Sequence, residues 1–166
     1  MKETNSYVTV EQFVTTLIEN YAITYNANEH SLSGFESSDY MLYGYHADWL
    51  EDMDIAGKDA PLLKKNAARI THEFLRLEMH EPDSEDISTA VKLRDIYDCR
   101  VCAKHIMQVV AKGIMEGYYI TDTLYLFGLN DAITHEDMLK SLPAFSIPNS
   151  ALLRTDANLV FCFHIE

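Results

Sequence analysis

The side chains best suited to chemistry are the two thiols and the imidazole of Cys99-x-x-Cys102-x-x-His105. On a helix this spacing gathers all three near one turn. Asp98 stands where it would cap that helix, and a helix N-terminus lowers a thiol pKa. Such a set could bind zinc, exchange a disulfide or present a reactive thiol. Cys162 and His164 fall on one side of an extended segment, which suits joint ligation. Cys99, Cys102, Cys162 and His164 therefore form a conceivable four-ligand zinc site. Against zinc, a second Cys-x-x-Cys is missing. Cys102 also falls on an apolar helical face, where cysteine packs as a small hydrophobe. The expectation is no cofactor, with zinc as the alternative.

Other constellations carry less. Glu51/Asp52 and Glu85/Asp86 are neighbours in sequence, and adjacent helical residues diverge by about 100°, so neither pair can share a substrate. Tyr40, Tyr43, Tyr45, His46 and Trp49 could stack on a sugar ring or form a stripe of core and rim. No Gly-rich phosphate loop, Gly-x-Ser-x-Gly or His-Glu-x-x-His occurs. With no complete catalytic constellation, the chain reads as non-enzymatic.

The elements that must position these groups are mostly helical. Val10, Phe13, Val14, Leu17 and Ile18 form one apolar stripe. Thr9 and Gln12 have the spacing of a capping box ahead of it. A polar stretch over 26–38 reads as a loop. Residues 40–53 read as a helix whose apolar side is Met41, Leu42, Tyr45, Trp49, Leu50 and Met53, stopped by Gly57. Leu63, Ala67, Ile70, Phe74 and Leu77 make the strongest stripe, and Pro82 ends it. Asp83 caps a predicted short helix reaching about Leu93. Asp98 caps the next, which runs to Ala111 and is closed by Gly113 and Gly117. A helical turn is expected over 121–127. Thr134 caps a last helix, stopped by Pro143, and residues 158–165 are β-rich.

Composition narrows the partners. The 166 residues are 48% apolar and 11% aromatic, enough for a real core. A formal charge of −13 leaves no basic face for nucleic acid or anionic lipid. No run approaches the roughly 18 apolar residues of a membrane helix, so no membrane insertion is expected. The opening MKETNSYVTVEQ lacks the apolar core and cleavage site of a secretory signal. Three cysteines are no disulfide framework. Both facts point to a reducing, cytoplasmic setting.

An internal repeat organises the chain. Val8-Thr9-Val10-Glu11-Gln12-Phe13 aligns with Leu62-Leu63-Lys64-Lys65-Asn66-Ala67 and with Ile133-Thr134-His135-Glu136-Asp137-Met138. Asp54-Ile55-Ala56-Gly57 precedes the second copy, and Gly113-Ile114-Met115-Glu116-Gly117 precedes the third. One helix–loop–helix unit cannot bury both its faces, so three should pack together. The expected fold is a mostly α, compact bundle of three helix–loop–helix repeats about a pseudo-threefold axis, with a short C-terminal β segment. A single domain, 1–166, would comprise a half-repeat (1–25), two repeats (39–81 and 93–142) and an extended tail (144–166).

These motifs resemble the S-layer homology family. Leu93-x-Asp95-Ile96 matches its opening, and Cys102-Ala103 stands at its Trp-Ala. Gly113-Ile114-x-x-Gly117 matches its Gly-Ile-x-x-Gly, Phe127 its loop aromatic, and Ile133-Thr134 the start of its Ile-Thr-Arg-Ala-Glu helix. The resemblance implies a bacterial cell-surface module whose inter-repeat grooves bind acidic cell-wall polysaccharide, with the motif arginine meeting the ligand's carboxylate. Here that arginine is replaced by Val10, Lys64 and His135, and the Trp position is Tyr43 or Cys102. A lysine is no bidentate clamp. The implied ligand residues are Tyr43, Lys64 and His135, with cell-wall polysaccharide or a protein as partner. Two alternatives stay open: an intracellular helical interaction domain that has lost glycan binding, and a thiol or zinc protein using Cys99, Cys102 and His105.

Overall fold

The computed structural model describes residues 7–25 and 37–141. Its helices are α1 (Val10–Tyr25), α2 (Ser37–His46), α3 (Asp52–Ala56), α4 (Lys64–Leu77), α5 (Arg100–Ala111) and α6 (His135–Ser141). An antiparallel pair, β1 (Tyr118–Thr121) and β2 (Leu124–Leu126), sits between α5 and α6. The protein is thus mostly helical and compact, as expected, with one small sheet among the described residues. The expected C-terminal β segment lies outside the described residues, as do Cys162 and His164. Among the described residues, no helix is long and apolar enough to cross a membrane.

Local chemistry explains the helix starts. Thr9 and Gln12 form the expected capping box of α1: the Thr9 N–H donates to Gln12 Oε1 (3.0 Å) and the Gln12 N–H to Thr9 Oγ1 (3.2 Å). Thr134 and Asp137 do the same for α6. Leu63 offers α4 no side-chain cap. Its first amides instead reach another part of the chain: Lys64 N–H donates to the Asp131 carbonyl (2.8 Å) and Lys65 N–H to that of Leu129 (3.2 Å). Those bonds satisfy donors that a helix start leaves open.

The segments before α1, α4 and α6 meet at one place. Val8 N–H donates to the Ile133 carbonyl (2.9 Å), Ile133 N–H to that of Leu62 (2.8 Å), and Leu62 N–H to that of Val8 (2.8 Å). The three residues close a hydrogen-bonded ring, and all are buried. Around it pack Phe13, Leu17, Ile18, Ile70, Phe74, Ile106 and Phe127, each almost wholly shielded from water. Trp49 meets Phe74 edge-on at 5.3 Å.

Three expected elements are different in the structure. The helix over 40–53 is two helices, because Asp48 takes a left-handed φ of 63° and reverses the chain. Trp49 and Leu50 then fold back, and both their amides donate to the Gly44 carbonyl (3.1 Å). Trp49 enters the core across Gly44, where a Cβ would stand 2.7 Å from the indole. Leu42, Tyr45 and Met53 are left exposed. Burying one Trp outweighs continuing a helix whose apolar positions are scattered. The helix expected after Asp83 is replaced by turns with two 3₁₀ stretches, Ala90–Lys92 and Ile96–Asp98. Here Asp86 Oδ1 accepts the Ser88 N–H (2.9 Å) and Gln108 takes the Ser84 N–H (2.6 Å), which draws those amides out of any helical ladder. Asp98 accordingly is no cap, and Cys99 holds that position in α5. Residues 121–127 form part of the β1–β2 hairpin, in keeping with the aromatic and β-branched run Tyr118-Tyr119-Ile120-Thr121.

Candidate functional site

A groove of about 490 Å³ opens beside the N-terminus of α4. Lys64, the turn after α5 (Gly113 to Tyr118), Asp131 to Ile133, and Asp137 and Lys140 of α6 line it. Sequence shapes each wall. Gly113 sits at φ +70°, which lets α5 stop and turn. The Ile114 N–H then returns to the Val109 carbonyl (2.9 Å). Gly117 allows close approach of the hairpin, since a Cβ there would lie 2.5 Å from the Leu126 carbonyl oxygen.

Asp95 holds the turn that leads into Asp131. Its carboxylate accepts the amides of Phe127 (2.7 Å), Gly128 (2.8 Å) and Leu129 (3.4 Å). Gly128 at φ +83° makes that turn possible. The Phe127 ring consequently lies under Lys64, whose Nζ is 4.7 Å from its centroid and 5.7 Å from that of Tyr118. Lys64 Nζ donates to the Glu116 carbonyl (2.7 Å), and Tyr118 Oη donates to Asp131 Oδ2 (2.8 Å). Burial lowers the Lys64 pKa, against the pull of Asp137, Asp131, Asp95 and Glu116. The hydrogen bond to Asp131 raises that of Tyr118. The groove therefore offers one ammonium beside the Tyr118 face, with Phe127 buried beneath it, a second ammonium at Lys140, which is paired with Glu136, and acidic groups at Glu116, Asp131 and Asp137.

Of the three residues that the sequence marked for ligand binding, Lys64 lines this groove, and Tyr43 and His135 do not. Tyr43 Oη donates to Glu78 beyond the end of α4. His135 is exposed at the first turn of α6. Tyr118, Asp131 and Asp137 were not singled out. Tyr118 is hidden in sequence because it becomes a wall only once the hairpin forms. Asp137 stands in the sequence only as part of the aligned stretch Ile133-Thr134-His135-Glu136-Asp137-Met138.

Cys99 and Cys102 are joined as a disulfide. In this state neither sulfur is a thiolate, so neither can ligate zinc. This departs both from free packing cysteines and from a zinc site built on the pair. His105, expected to join them, turns inward to a different cluster. Its Nδ1 lies 2.9 Å from Nδ1 of His72, whose Nε2 bonds Asp83 Oδ1 (2.8 Å). Glu73 Oε1 approaches His105 Nδ1 at 3.6 Å, and Arg76 Nε donates to Glu73 Oε2 (3.0 Å). Burial, then the charges of His72 and Lys104, push the His105 pKa down to about 4. Burial would raise the Glu73 carboxyl, but the Arg76 bond and charge outweigh it, and its pKa is lowered.

Comparison with family models, curated proteins and solved structures gives no match.

Proposed function

We propose that the chain is a non-catalytic binding module, S-layer-homology-like in layout, that takes a cell-wall polysaccharide in the groove at the start of α4. The observation that carries this reading is the placement of Lys64. Its ammonium hangs over Phe127 and beside Tyr118, at the mouth of a groove walled by Gly113-Ile114-x-x-Gly117. An aromatic face beside a fixed cation suits a sugar ring bearing a single anionic or polar substituent. Glu116, Asp131 and Asp137 argue against a densely anionic glycan, as does the net charge of −13. The ring of Val8, Leu62 and Ile133 supports the threefold layout, since it treats the starts of α1, α4 and α6 alike. Val10 and His135 stand at the positions equivalent to Lys64. The cation is thus retained in full only at the second of the three starts.

A protein partner is the second reading, favoured by one feature. Tyr119 and Ile120 on the hairpin beside the groove are 64% and 57% exposed, an apolar rim of the kind proteins recognise.

Sedimentation with purified bacterial cell wall tests the first reading. The chain should pellet with the wall, and Lys64→Ala should weaken that association about tenfold. A chain that stays in the supernatant, or a Lys64→Ala variant that pellets as well as the parent, rejects glycan binding in this groove.

A further inference from the structure

The inward cluster on α4 and α5 has no part in the groove. His72 and His105 are about 95% shielded from water, and the Glu73 side chain is 14% exposed. Two imidazoles set ring nitrogen to ring nitrogen, with a carboxylate oxygen beside them, are an unusual content for an apolar helix interface. We infer that His72, Glu73 and His105 form a site for one divalent transition-metal ion of the zinc class.

The donor set fits that ion. Two imidazole nitrogens and a carboxylate oxygen are borderline donors suited to zinc, which tolerates three protein ligands plus water. Donor atoms of His72, Glu73 and His105 all lie within 4.8 Å of one another. A tetrahedral ion at about 2.0–2.1 Å from each donor sets them about 3.3 Å apart. The observed separations, 2.9 Å between the two Nδ1 atoms and 3.6 Å from His105 Nδ1 to Glu73 Oε1, bracket that spacing. An ion between the rings requires them to part by a few tenths of an ångström.

The outer partners fit as well. A metal-bound histidine typically gives its other ring N–H to a carboxylate, which fixes the tautomer. Asp83 plays that part here: it bonds Nε2 of His72 and leaves Nδ1 as a lone pair aimed at His105. Arg76 holds Oε2 of Glu73 and leaves Oε1 turned inward. Asp83 is more than half exposed, so this outer partner reaches solvent. The site would clamp α4 to α5 and tie down the chain that follows α4.

The test uses the full chain, chelator-treated, in a Cys99→Ser/Cys102→Ser/Cys162→Ser background, so that no thiol can ligate zinc even if the Cys99–Cys102 disulfide is reduced. Titration with zinc ion alone, followed by calorimetry, should give one equivalent bound and a raised melting temperature. Cobalt ion should give the visible absorption of a tetrahedral nitrogen and oxygen site, without a thiolate charge-transfer band. Asp83→Asn, a change at an exposed residue, should weaken zinc about 10-fold to 100-fold. Glu73→Gln should weaken it further, and His105→Asn should abolish it. Absence of zinc binding in the background chain overturns the proposal, and so does binding that all three variants leave unchanged. If His105→Asn fails to fold, Asp83→Asn and Glu73→Gln decide.

Discussion

The two ends of α4 carry opposite kinds of polar chemistry. At its start, Lys64 stands in an open groove and its ammonium meets a backbone carbonyl and aromatic faces. Two turns further on, His72 and Glu73 are turned toward α5, and every polar atom named there meets another side chain. The first end is built to meet something from solvent. The second is built to satisfy itself, or to hold an ion. One helix can do both because its faces rotate: nine residues from Lys64 to Glu73 carry the chain through two and a half turns.

Arg69 lies between the two ends and gives the largest expected effect. It pairs with Asp54, which is 2% exposed, and reaches Glu51 at 3.6 Å. Asp54 also accepts the Glu51 N–H (2.8 Å), closing the cap of α3. Arg69→Met strands a buried carboxylate, and such losses cost about 3–5 kcal/mol. Urea denaturation should show that drop. Below the new midpoint, wall association and zinc uptake should both persist, since Arg69 neither lines the groove nor supplies a proposed zinc ligand. Loss of one of them alone would tie Arg69 to that end.

Asp95→Ala should separate the ends. Three amides, those of Phe127, Gly128 and Leu129, lose one charged acceptor, which should cost about 2–3 kcal/mol. With Phe127 freed, the floor beneath Lys64 is gone and wall association should fail in the sedimentation assay. Zinc-induced stabilisation at the far end should be unchanged. A variant that lost zinc uptake and kept wall association would invert the comparison.

Lys64→Ala should be milder in stability and sharp in function. The side chain is half-buried and its ammonium donates to a backbone carbonyl, so unfolding free energy should move by less than about 1 kcal/mol. Affinity for the wall should fall about tenfold. Added salt should weaken the parent more than the variant, because the lost term is electrostatic.

The groove end was the more legible in sequence, and the reason is physical. Gly113, Gly117, Phe127 and the Thr134 cap are local signals: a stop, a close approach, a turn and a helix start can each be read from a few neighbours. Lys64 followed from alignment with Thr9-Val10 and Thr134-His135. The helical stripes of α1 and α4 were likewise legible, because burial imposes a 3.6-residue period. The break at Asp48–Trp49 was not, since it depends on where one indole finds space across Gly44. Nor was the histidine cluster. His72 and His105 are 33 residues apart, and His105 stood in a Cys-x-x-Cys-x-x-His pattern that drew attention to the thiols. His72 lies on the side of the helix opposite the stripe of Leu63, Ala67, Ile70, Phe74 and Leu77, where a histidine reads as solvent-facing. Only the packing of α4 on α5 brings the two rings together.

The smallest expected effect discriminates how the groove works. Tyr118→Phe keeps the ring beside Lys64 and removes only the hydroxyl that bonds Asp131. Both partners are exposed, so stability should change by no more than about 0.5 kcal/mol. If the ring serves as a stacking face, wall association should be nearly unchanged in Tyr118→Phe and weakened several-fold in Tyr118→Ala. Freed from the phenol, Asp131 would be available to a ligand hydroxyl, so a modest gain in affinity is also consistent with stacking. Equal losses in the two variants would mean that the Tyr118–Asp131 bond, rather than the aromatic face, shapes the groove. The contrast between the ends of α4 would then narrow, because both would depend on side chains holding one another in place.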